Sequence, residues 1–91
     1  GRCNLSNQTI RTSNYHGLNP GFVNIAIDRF NPKTCKKFFS EIGVELAEGQ
    51  NGRLYPLSLQ SSSITNQLEY ECKRLGVDIS LNQEVLSIKK E

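Results

Sequence analysis

Two Asn-Pro steps, Asn19-Pro20 and Asn31-Pro32, and three glycines, Gly43, Gly52 and Gly76, cut this chain into pieces of one element each. Asn offers a side-chain oxygen to an unpaired first-turn N–H. Pro suits the first helical position because its missing N–H has no partner there anyway. Glycine ends a helix by entering the left-handed conformation without a Cβ penalty. Any fold must therefore be built from several short elements rather than from long helices.

Apolar spacing identifies those elements. Residues 1–19 form a run rich in Asn, Ser and Thr without periodicity, the pattern of a polar loop. After Asn19-Pro20, residues Phe22, Ile25, Ala26 and Phe30 recur at helical spacing. After Asn31-Pro32, residues Cys35, Phe38, Phe39 and Ile42 form an i, i+3, i+4, i+7 stripe. Residues 20–43 thus read as a helical pair capped by Gly43, with Cys35 as a buried thiol. Residues 44–57 read as a β-hairpin, with Val44–Leu46 and the stretch from Leu54 alternating around Glu48-Gly49-Gln50-Asn51-Gly52. Ser61-Ser62-Ser63 can cap a third helix with the stripe Ile64, Leu68, Cys72 and Leu75, ended by Gly76. Val77, Ile79 and Leu81 then alternate, Asn82-Gln83 turns, and Val85, Leu86 and Ile88 make a last strand, so residues 61–91 read as helix-strand-strand. The whole, 1–91, is α+β. Its step Leu75-Gly76-Val77 has the form by which α/β sheets return a helix to a neighbouring strand.

Composition narrows the function. A net charge of +2, with the basic residues scattered, gives no phosphate-tracking face, and nucleic-acid binding is not expected. Three cysteines, Cys3, Cys35 and Cys72, without a C-x-x-C, argue against a disulfide framework or a zinc site and for a reducing cytoplasm. No apolar run approaches membrane-spanning length, so no membrane role is expected. With no signal peptide, the sequons at Asn4 and Asn7 are read as accidental. Apolar residues make up 36% of the chain, which is low for a self-sufficient core. Uncovered apolar faces make self-association an expectation. The chain opens on Gly1 rather than Met, as an internal fragment of a longer protein does.

Candidate chemistry is sparse. His16, the one histidine, sits in polar loop sequence without a nucleophile or acid at a recognisable spacing. No acidic pair suggests glycosidase or metal chemistry, Glu69 and Glu71 reading as surface charge beside an apolar stripe, and no Gly-x-Gly-x-x-Gly or P-loop occurs. Two segments stand out. Gly1-Arg2-Cys3-Asn4-Leu5-Ser6-Asn7 offers a guanidinium, an amide and backbone N–H groups suited to a phosphate or a polar ring edge. Gly52-Arg53-Leu54-Tyr55-Pro56 reads either as a strand ending in proline or as a functional segment.

Those segments resemble a group of bacterial NAD(P)/FAD-dependent oxidoreductases, aminoacetone-oxidase-like and bile-acid-reductase-like, of the superfamily with two dinucleotide-binding domains. The resemblance runs through Gly1-Arg2-Cys3-Asn4, Phe38-Phe39-Ser40-Glu41-Ile42-Gly43-Val44 and Gly52-Arg53-Leu54-Tyr55-Pro56-Leu57-Ser58. It continues from Leu68 to Gly76-Val77, then to Val85 and Ile88. It implies that the chain is part of an α/β FAD-binding domain. Arg2, Cys3 and Asn4 would lie near the FAD, and the strand holding Val85 would give main-chain hydrogen bonds to the adenine. No catalytic residue is implied. Arg53 and Pro56 have two readings, shaping the substrate side or closing the hairpin. A second thiol near Cys3 is missing, so a redox disulfide is not implied. The expected function is a piece of a FAD-dependent oxidoreductase, served by FAD and by NAD(P)H in the parent and inactive alone. The alternative is a small non-catalytic protein-interaction module using its polar arm or hairpin edge.

Overall fold

Leu54, wholly shielded from solvent, lies in the central strand of a three-stranded antiparallel sheet. The computed structural model describes all residues, 1–91. Strand β3 (Arg53–Pro56) pairs on one side with β1 (Ser6–Asn7), Ser6 opposite Leu54. On the other side it pairs with β2 (Leu46–Glu48), Leu46 opposite Pro56. The pleat sends Leu54 and Pro56 to one face, where both are buried, and Arg53 and Tyr55 to the other. Pro56 has no N–H to donate and sits past the end of β1, where β3 has only β2 as a neighbour.

Helices α1 (Asn24–Arg29), α2 (Pro32–Glu41) and α3 (Ser61–Arg74) complete the fold, a mixed α+β arrangement. Asn31 caps α2 through its side-chain oxygen, which accepts from Thr34 N–H at 2.9 Å. The ends of α2 and α3 share one device. Gly43 (φ +94°) lets its own N–H reach the Ser40 carbonyl and Val44 N–H reach the Phe39 carbonyl at 2.7 Å. Gly76 (φ +78°) repeats this with Lys73 and with Val77 N–H to the Cys72 carbonyl at 2.8 Å. Both are Schellman motifs, in which the residue after glycine packs back on the last turn. Val44 completes that contact at 4% exposure, whereas Val77 remains 50% exposed.

Cys35, Phe39, Val44 and Ile64 form the core, with Cys3, Leu5, Ile42 and Leu46 packed against it. Each large buried side chain contributes roughly 1.5–3 kcal/mol. Only six of 91 residues are buried, and the radius of gyration is 15.9 Å against about 12 Å for a compact domain of this length. The chain does not close around one centre.

Several sequence expectations are corrected. The run 1–19 is not loop throughout, because Ser6–Asn7 pairs with β3 and Thr12–Asn14 makes a 3₁₀ turn. Its partner is far along the chain, beyond the reach of local periodicity. The helix after Asn19 opens as a 3₁₀ turn, Pro20–Val23, and Asn19 makes no side-chain cap. Its stripe residues Phe22 and Ile25 are exposed rather than packed. Ser61–Ser63 lie inside α3, and the preceding Gln60 makes no side-chain cap. Residues 77–81 and 84–88 form no strands, because a strand needs a hydrogen-bonded neighbour and none within the chain pairs with them.

Candidate functional site

The Gly1–Asn4 segment is tied to two elements through backbone bonds. The Gly1 carbonyl accepts from Ser61 N–H at 2.8 Å, the first N–H of α3. Leu5 N–H then donates to the Leu54 carbonyl at 2.9 Å, and Gln8 N–H to the Gly52 carbonyl at 2.7 Å. Between these anchors Cys3 takes a left-handed conformation, φ +60°, which costs a non-glycine residue on the order of 1–3 kcal/mol. The Cys3 side chain packs against the core. Its neighbours on either side, Arg2 and Asn4, line two separate clefts.

Arg2 lines a cleft of about 360 Å³ with Arg53, Tyr55, Glu48, Gln50 and Leu59. Gly49 forms part of its wall. A Cβ there would stand 2.6 Å from the Tyr55 ring, so any other residue would have to displace the ring. Neither arginine is in an ion pair. The only ion pairs are Glu69–Lys73 and Glu71–Arg74 on α3.

Asn4 lines the other cleft, about 530 Å³, with Asn7, Thr9, Asn14, Tyr15 and Asn51. Asn7 organises it. Its Nδ2 donates to the Asn51 carbonyl at 3.0 Å, while its Oδ1 accepts from Thr9 N–H at 2.9 Å and from Thr9 Oγ1 at 3.0 Å. The first bond joins β1 to the turn where Asn51 and Gly52 both have positive φ, and the two Thr9 bonds fix the Asn7 amide in place.

Of the predicted site residues, the structure brings Arg2, Cys3 and Asn4 together with β3 but points them three ways. Val85 borders neither cleft and is 76% exposed. The sequence reading left Arg53 open and did not single out Asn14, Tyr15 or Asn51. Arg53 and Tyr55 alternate with Leu54 and Pro56, so their shared face was visible in the strand pattern. The approach of Arg2 to that face was not. His16 is exposed, and no cluster of three or more His, Cys, Asp or Glu is placed to hold a metal ion. The three thiols are free, and burial pushes the Cys35 thiol up, opposed by a hydrogen bond with the Ser6 side chain. No helix is long and apolar enough to cross a membrane.

The sequence profile of the HI0933-like protein Rossmann domain matches residues 1–91. The 3-dehydro-bile acid delta(4,6)-reductase of Clostridium scindens is 34% identical over 89 residues, covering 98% of this chain and 22% of that protein. The ribosomal RNA dihydrouridine synthase of Escherichia coli K12 is 30% identical over 91 residues, covering 100% of this chain and 22% of that protein. The chain thus spans 22% of the length of each of these relatives.

Proposed function

The chain belongs to the HI0933-like Rossmann-domain family, and from that premise we propose that it supplies part of the FAD site of a flavin-dependent oxidoreductase. The family match over residues 1–91, including the anchored Gly1-Arg2-Cys3-Asn4 segment, carries this reading. The residues present suit such a cofactor. Two guanidiniums without carboxylate partners can meet phosphate oxygens, and the Asn4 amide beside Asn14 and Asn51 can meet the polar edge of a ring. Residues 1–91 contain no Gly-x-Gly-x-x-Gly turn, so they furnish only part of a dinucleotide site.

In this proposal FAD supplies the hydride chemistry, and the chain's residues bind and orient it. Arg2 and Asn4 contact the cofactor directly. Cys3 acts through its place in the core, which holds its two neighbours on opposite clefts. The Val85 main chain meets the adenine once residues 77–91 gain a neighbouring strand. One of the two relatives is named for a reduction, as a delta(4,6)-reductase. We therefore place the parent among reductases fed by NAD(P)H, with the isolated chain inactive.

The test compares flavin bound to the whole protein with flavin bound to residues 1–91 alone, read by absorbance after desalting. The whole protein is expected to retain flavin stoichiometrically and the isolated chain to retain little. A whole protein that holds no flavin under any loading condition would overturn the proposal.

A further inference from the structure

We propose that Leu59 is a positioning residue. Its left-handed backbone, rather than its side chain, delivers the Ser61 N–H to Gly1 and so holds the Arg2–Asn4 segment in place. Leu59 has φ +61°. A bulky residue there is a conformational outlier, and glycine or asparagine is the ordinary occupant. Burial does not explain the leucine, because 47% of it is exposed and it lies outside the core cluster. An outlier of this kind persists only where the bonds around it over-determine it.

Such bonds surround Leu59. Leu57 N–H donates to the Glu45 carbonyl at 2.8 Å, and Leu59 N–H donates to the Pro56 carbonyl at 2.8 Å, which closes a turn where β3 ends. Gln60 N–H donates to Ser58 Oγ at 3.2 Å, and Ser58 Oγ lies 2.5 Å from Ser63 Oγ in α3. Ser61 N–H then reaches the Gly1 carbonyl. Cys3 follows Gly1 closely and Leu59 precedes Ser61 closely, so each side of this junction turns through a left-handed non-glycine residue beside the bond that joins them. Glycine at position 59 would remove the steric cost, yet it would free the turn to sample other conformations. Stability and positioning then move in opposite directions, which a residue that only packs cannot produce. What the positioned segment touches rests on the flavin proposal; the role of Leu59 in positioning it rests on the backbone alone.

The test uses the whole protein as Leu59→Gly and as Leu59→Asn, read by thermal melting, by amide hydrogen exchange around Ser61 and by flavin affinity. Leu59→Gly is expected to melt no lower than the native protein, since the strain it removes offsets the chain freedom it adds. Exchange around Ser61 should rise and flavin affinity should fall, each by roughly two- to tenfold, the worth of one net hydrogen bond. Exchange in β3 should stay native. Asparagine tolerates the left-handed region, so Leu59→Asn should restore both exchange and affinity. A leucine that mattered only for packing would instead lower the melting temperature in both variants. That result overturns the proposal. So does native exchange around Ser61 in Leu59→Gly, faster exchange there with native flavin affinity, or a Leu59→Asn variant that behaves like Leu59→Gly. If the whole protein carries no flavin, the cofactor proposal fails, and exchange around Ser61 decides the role of Leu59 by itself.

Discussion

The carbonyl of Gly1 accepts a hydrogen bond from the backbone N–H of Ser61 at 2.8 Å, joining the first residue of the chain to the first turn of α3. An N–H at that position has no partner within its own helix. Gly1 fills the vacancy, and in return α3 fixes the start of the segment that carries Arg2 and Asn4.

Ser61→Pro isolates this bond. Proline is tolerated at the first helical position, and the residue before it, Gln60 (φ −120°, ψ 125°), already has the extended conformation that proline demands. Helix content by circular dichroism should be unchanged. Flavin affinity of the whole protein should fall by roughly two- to tenfold, the worth of one net hydrogen bond. Unchanged affinity would show that the anchor is dispensable.

Gly52→Ala should destabilise the chain by about 1–3 kcal/mol, measured by urea denaturation. Gly52 has φ +76°, and an added Cβ would stand 2.6 Å from Asn7 Oδ1, the atom that accepts both Thr9 bonds. Asn7→Ala should release the same turn from the β1 side. A double variant costing less than the sum of the singles would confirm that the two residues act on one feature.

Leu54→Ala should cost about 2–5 kcal/mol, because it empties a fully enclosed position on the strand that both neighbours share. With so few residues buried, a loss of that size should leave the isolated chain largely unfolded at room temperature, as judged by loss of the cooperative urea transition.

Cys35 should make the fold sensitive to alkali. Burial raises its thiol above the ordinary value of 9.0. A group raised in the folded state stabilises the fold below its unfolded pKa and loses that contribution as pH rises through the folded pKa. Stability should therefore decline as pH climbs past about 9. Cys35→Ala should show a shallower decline over the same range, and equal slopes would contradict the assignment.

What could be read from the sequence follows from interaction range. Gly43 and Gly76 were legible as helix stops because a Schellman motif is built from neighbouring residues, and the Asn31 cap was legible for the same reason. The pairing of Ser6 with Leu54 was not, since two polar residues carry no period and the partner lies far along the chain. The strands expected around Val77 and Val85 show the opposite failure. The alternation of Val77, Ile79 and Leu81 and the apolar run at Val85, Leu86 and Ile88 are real, but such patterns specify a strand only where a neighbour completes the ladder. The site divided likewise. Gly1-Arg2-Cys3-Asn4 was visible as a motif, while its split over two clefts depends on the left-handed backbone at Cys3, where the residue type gives no warning.

The most direct measurement is the flavin-to-protein ratio of the whole protein purified in its native form and as the Arg2→Ala/Asn4→Ala double variant, with folding of both verified by circular dichroism. The native form should carry flavin in stoichiometric amount and the folded double variant should lose most of it. A native form without flavin, or a folded double variant that keeps its full complement, would contradict the placement of this segment at the cofactor.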